Sequence, residues 1–86
     1  MWKILLSSKA KKQSKVAIKS AYKKTIEDLM KIIATNPYQN PPPYEKLEPP
    51  TDNSYSRRIN KQHRLSYKVY EKEKAIVILG MWTHYE

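Results

Sequence analysis

The sequence predicts an α+β domain of order β-α-α-β-β-β, with two helices on one face of an antiparallel sheet. Three observations predict it. Ala10 to Ile33, before Pro37, carry apolar residues at helical spacing. All six prolines fall between Pro37 and Pro50. After them come three short runs rich in tyrosine and β-branched residues. A chain of 86 residues is enough for one domain, residues 1–86.

Trp2 to Leu6 is a short apolar run and reads as the opening strand, with Ser7 or Ser8 as N-cap of the first helix. Residues 9–19 are lysine-rich, and Ala10, Ala17 and Ala21 are spaced by seven and four, one thin apolar stripe on a helix. Ser20 or Ala21 is the joint to a second helix. There Tyr22, Ile26, Leu29, Met30 and Ile33 build a wide apolar face. That helix ends near Thr35-Asn36, because Pro37 disfavours helical backbone at the residue before it. The proline stretch suits neither a helix interior nor a central strand. It reads as a stiff, extended loop laid across the domain, able to hold a side chain such as Glu45 in place.

Tyr55 to Asn60, Leu65 to Tyr70 and Ala75 to Trp82 read as strands, with polar turns at Asn60 to Gln62 and Glu71 to Lys74. In the middle strand Leu65, Tyr67 and Val69 share one face and Arg64, Ser66 and Lys68 the other. That alternation turns Arg64 away from the core. The last strand is apolar on both faces and is expected inside the sheet.

Composition narrows the function. There is no cysteine, so disulfide frameworks and thiolate chemistry are excluded. The histidines His63 and His84 are too few for a zinc site, and no metal or cofactor is expected. The longest mainly apolar run, Ala75 to Trp82, is far below the roughly 20 residues of a membrane span. Ile4 to Leu6 is too short for a signal-peptide core. A cytoplasmic protein without a membrane partner is the expectation. The net charge of +9 points to a polyanion, nucleic acid first. Residues 1–43 carry a net +7, all from lysine, and residues 44–86 only +2. The three arginines, Arg57, Arg58 and Arg64, lie within eight residues of one another. Lysine suits loose attraction to phosphate, whereas arginine offers a planar, two-pronged donor set.

Several polar residues stand out: Glu45 in the proline loop, Arg58 and Arg64 on adjacent strands, and His84 with Tyr85 at the end of the last strand. An acid, arginines and a histidine are the parts needed to cleave RNA without a metal. A base takes the ribose 2′-OH proton, arginine neutralises charge growing on the phosphate, and an acid protonates the departing 5′-oxygen. With ordinary pKa values of about 4.3 and about 6.5, Glu is ready as base at neutral pH and His serves as acid if its pKa is held up. Taken singly, each has an ordinary explanation: a solvated loop glutamate, an incidental terminal histidine, surface arginines.

The segment from Ser56-Arg57-Arg58-Ile59 through His63-Arg64-Leu65 to Tyr67 resembles the S-R-R-I-x-x-x-H-R-L-x-Y block of YoeB-type toxins, the Txe family of the RelE superfamily. The ending Trp82-Thr83-His84-Tyr85 resembles that family's H-Y terminus, and Asn36-Pro37 and Glu45-Lys46-Leu47 match its N-P and E-x-L positions. The resemblance covers essentially the whole chain. It implies a RelE-like microbial-ribonuclease fold and a ribosome-dependent messenger-RNA endonuclease, the toxin of a type II toxin–antitoxin pair, cutting in the ribosomal A site without a metal. Carried over, Glu45 is the general base, Arg64 stabilises the phosphorane-like transition state, His84 is the general acid and Tyr85 positions the RNA. Arg58, with Arg57, adds phosphate contacts, and Lys9, Lys11 and Lys12 dock on ribosomal RNA. The implied partners are an acidic antitoxin of YefM/Axe type, the ribosome and messenger RNA, with a homodimer possible. This chain departs from some relatives in its extra Glu86 and in Pro41-Pro42-Pro43, which replaces a glycine- and lysine-rich stretch. Two other readings stand beside the endonuclease: a non-catalytic inhibitor of the ribosome or gyrase, and a generic basic nucleic-acid-binding module.

Overall fold

The computed structural model describes residues 1–49 and 52–82. Along them run β1 (Lys3–Leu6), α1 (Ser8–Ala17), α2 (Lys23–Thr35), β2 (Glu45–Lys46), β3 (Ser54–Arg58), β4 (Arg64–Tyr70) and β5 (Ala75–Gly80). The five strands form one sheet in the order β1-β5-β4-β3-β2. The order of the principal elements agrees with the expectation. Two details differ. The sheet is mixed: β2, β3, β4 and β5 pair antiparallel, whereas β1 lies parallel to β5, Lys3 opposite Ala75 and Leu6 opposite Ile78. And the proline loop contributes an edge strand of two residues, β2, which the proline spacing alone does not announce.

Local chemistry sets the helix ends. Ser7 caps α1, its Oγ accepting from the Ala10 amide at 3.0 Å. The same hydroxyl donates to the Leu79 carbonyl at 3.0 Å. Leu79 sits where the β4–β5 register shifts by one residue, between the pairs Ser66/Gly80 and Tyr67/Ile78. One side chain thus ties the start of α1 to an irregular point in β5. Replacing Ser7 by alanine is expected to lower the unfolding free energy by about 1–2 kcal/mol, read from urea denaturation, since it removes a cap and leaves a carbonyl without its donor.

The joint between the helices falls at Ile18 to Tyr22, as expected; there Ser20 Oγ accepts from the Tyr22 amide at 3.1 Å. Ala10 and Ala17 are wholly buried, while Ala21 lies in the joint and is exposed. In α2, Ile26, Leu29 and Ile33 are buried, but Tyr22 is 40 % exposed just outside the helix. Ala10, Ala17, Ile26, Leu29 and Ile33 share one core with Tyr55, Ile59, Leu65, Tyr67, Val69, Ile76, Ile78 and Met81. The small alanines let α1 approach β5 closely, and Gln13 Oε1 accepts from the Met81 amide at 2.7 Å.

The proline segment lies on the same side of the sheet. Asn36 Oδ1 turns the chain by accepting from the Tyr38 amide at 3.0 Å. Tyr38 and Tyr44 then pack edge-on against Tyr55, each with centroids 5.5 Å apart, and Tyr55 meets Tyr67 at 5.8 Å. Tyr38 also donates to Glu71 Oε2 at 2.7 Å, and burial is the first cause of its raised phenol pKa. The opposite face of β3 and β4 is left to polar side chains.

Candidate functional site

The polar face forms where β2, β3 and β4 run side by side. Pairing places Glu45 opposite Ser56, and Arg58 opposite Arg64. Because side chains alternate along a strand, Ser56, Arg58, Arg64 and Glu45 share the face away from the helices. The β3–β4 turn is drawn tight by Asn60, whose Oδ1 accepts from the amides of Gln62 and His63 at 2.7 and 2.8 Å. Two arginines directly across a strand pair repel one another. The Glu45 carboxylate bonded to Arg64 offsets part of that repulsion.

Arg64 Nη1 donates to Glu45 Oε1 and, at 3.2 Å, to Ser56 Oγ. The arginine side chain is 26 % exposed and the glutamate 67 %, so the guanidinium is seated and the carboxylate reaches over it from the edge strand. Hydrogen bonding to Arg64, then the charge of Arg64 itself, holds the Glu45 carboxyl below the usual carboxylate range, with a smaller contribution from Arg58. These residues, with Pro43 and Tyr44, line an open cleft of about 320 Å³. It therefore presents an ionised carboxylate, two guanidinium groups and a hydroxyl together, which suits a phosphodiester beside a proton-bearing hydroxyl.

The structure thus brings together Glu45, Arg58 and Arg64. Arg57 is a correction. Expected to meet phosphate, it is 1 % exposed and turned to the opposite face, its guanidinium bonded to Tyr67 and to the carbonyls of Pro37, Gln39 and Pro42. Neighbours in a strand point to opposite faces, so Arg57 and Arg58 cannot both serve the cleft. Lys9, Lys11 and Lys12 are exposed on α1. His84 and Tyr85 lie outside the described residues. The last described residue, Trp82, stacks on His63 with centroids 3.9 Å apart and planes 12° from parallel. Ser56, which seats Arg64, is not among the candidates named from the sequence, although its position two residues before Arg58 places it on the same strand face. Among the described residues no group of three His, Cys, Asp or Glu side chains gathers as a metal cluster, and no helix is long and apolar enough to cross a membrane.

The architecture is that of a class of small α+β toxins. A YoeB/ParE toxin from Agrobacterium tumefaciens superposes with a TM-score of 0.84 over 96 % of this chain and 99 % of its own, at 20 % identity, which establishes the fold alone. The chain belongs to the YoeB-like toxins of bacterial type II toxin–antitoxin systems, whose family model matches residues 12–85. Similar solved structures include the YoeB–YefM complex from Staphylococcus aureus, with 32 % identity, 99 % of both chains covered and a TM-score of 0.80. The YoeB dimer from the same organism gives 31 % identity, 98 % coverage of both chains and a TM-score of 0.78. Among curated protein sequences none matches.

Proposed function

We propose that this toxin is a ribosome-dependent endoribonuclease that cuts messenger RNA in the A site and so stops translation. The observation that carries the reading is the Glu45–Arg64 pair seated on Ser56 in an open cleft beside Arg58. In the free protein the carboxylate and the guanidinium neutralise each other. A substrate phosphate competes for Arg64, and once Arg64 turns to it, Glu45 loses the partner that depresses its basicity. The base is released where the phosphate has arrived.

Glu45 then takes the ribose 2′-OH proton, and the 2′-oxygen attacks the adjacent phosphorus. Arg64, with Arg58, neutralises the charge that gathers on the phosphoryl oxygens. The bond from phosphorus to the 5′-oxygen breaks, and that oxygen takes a proton from His84, the acid the family resemblance implies. The products are a 2′,3′-cyclic phosphate and a 5′-hydroxyl, and Tyr85 helps position the RNA. The nucleophile comes from the substrate, so the reaction as written calls for no metal. Lys9, Lys11 and Lys12 meet ribosomal RNA through counterion release.

The relatives captured as a YoeB–YefM complex and as a YoeB dimer support an antitoxin partner and a homodimer for this chain too. The +9 charge favours an antitoxin segment rich in acids. Primer extension on messages from cells expressing the toxin tests the activity: cuts in phase with codons are expected. Arrested translation with intact messages would favour a non-catalytic inhibitor instead.

A further inference from the structure

Arg57 is a buried cation, and among the described residues no carboxylate pairs with it. Every nitrogen of its guanidinium is nonetheless engaged. Nε donates to Tyr67 Oη at 3.2 Å and Nη1 to the Pro42 carbonyl at 2.6 Å. Nη2 donates to the Pro37 and Gln39 carbonyls at 3.1 and 2.9 Å. The Tyr44 ring lies 4.9 Å from the guanidinium carbon. Tyr67 closes the arrangement by donating its own hydroxyl to the Pro37 carbonyl at 2.7 Å.

The contacts all gather on one stretch. From Pro37 to Tyr44 four of the eight residues are proline and have no N–H, so half of this stretch offers no donor for a strand ladder with β3. Its carbonyls need donors from elsewhere, and Arg57 supplies them at three points. Immediately after it the chain enters β2, an edge strand of two residues that begins with Glu45. So short a strand has little power to fix its own first residue. Arg57 also adjoins Ser56, the residue paired with Glu45. Strand β3 therefore grips both ends of this unit: Ser56 seats Arg64 on the open face, and Arg57 anchors the approach to Glu45 from the core face.

Resting on the nuclease reading above, we propose that Arg57 is a positioning residue that acts through Glu45, its guanidinium fixing the proline segment so that the carboxylate is delivered to Arg64 and to the substrate. It touches no substrate itself. Lysine cannot replace it, because a point charge on a flexible stem does not reach three carbonyls in a planar fan.

The experiment follows the Glu45 carboxyl by carbon-13 NMR titration in the wild type, Arg57→Lys and Tyr67→Phe, with single-turnover cleavage of ribosome-bound message in parallel. In Arg57→Lys the Glu45 titration is expected to move up toward the ordinary carboxylate range. The saturating cleavage rate should fall by roughly 100-fold, the scale of an ångström of misplacement, with the half-saturating concentration little changed. The same substitution added to Glu45→Gln should slow cleavage no further than Glu45→Gln alone. Tyr67→Phe keeps the ring and removes one of the Arg57 acceptors, so it should move both readouts the same way by less, and it serves if Arg57→Lys does not fold. An unmoved Glu45 titration in the folded variant, or a rate loss that multiplies with that of Glu45→Gln, overturns the assignment. If the wild type cuts no message at all, the nuclease reading fails, while the titration still decides whether Arg57 holds Glu45.

Discussion

Replacing Arg64 by alanine is expected to slow cleavage of ribosome-bound message by about 100- to 1,000-fold, the usual cost of removing a donor aimed at charge that develops in the transition state. The loss should fall on the saturating rate, because Arg58 and the exposed lysines remain to bind. In cells the variant should no longer arrest growth. It also makes a prediction on the free protein that needs no substrate. With Arg64 gone, the first two causes of the depressed Glu45 pKa vanish together, and the carboxyl should titrate near the ordinary range. Carbon-13 NMR of the glutamate side chains reads this directly. A Glu45 that titrates unchanged in Arg64→Ala would contradict the pairing, and full toxicity would remove Arg64 from the reaction.

Glu45→Gln is expected to be comparably severe, about 100- to 10,000-fold on the same rate, since the amide keeps the shape of the side chain but cannot take the proton. Folding should change little, because the Glu45 side chain is exposed. The pH dependence has a definite sign. The folded-state pKa of Glu45 lies below its unfolded value, so the small stability the pair contributes is present above the ordinary carboxylate range and is lost as pH falls through the lowered pKa. For catalysis, the second-order rate reports the free protein, where Glu45 stays ionised to lower pH than an isolated glutamate. The rate at saturation reports the bound state, in which Arg64 has turned to phosphate. The acid limb of the saturating rate should therefore lie at higher pH than that of the second-order rate. Coincident limbs would show that Arg64 does not change partners on binding.

Much of this was readable in the chain. The alternation Leu65, Tyr67, Val69 against Arg64, Ser66, Lys68 turned Arg64 toward the open face, and all three apolar residues are buried. The helix face Ile26, Leu29, Ile33 and the Pro37 stop likewise come from spacing and sterics. The same alternation, applied one strand earlier, separates Arg57 from Arg58, whereas a sum of charge along the chain carries no information on which face each occupies. β2 was hidden because two residues carry no period, and its pairing depends on the exposed edge of β3.

By itself, then, the sequence determined the order of the principal elements, the absence of thiol chemistry, the field of +9 and the family motifs that single out Glu45 and Arg64. These are local or compositional properties, set by residues near one another in the chain or by sums over it. Only the tertiary structure decided that β1 runs parallel to β5, across a separation that local patterning does not constrain. It alone also decided that Glu45, 19 residues before Arg64, closes on it across the edge of the sheet, and that Arg57 faces inward to hold the segment that carries Glu45 there. Such choices depend on which buried carbonyls lack donors and which strand edges lack partners, and those needs arise only when the chain has packed.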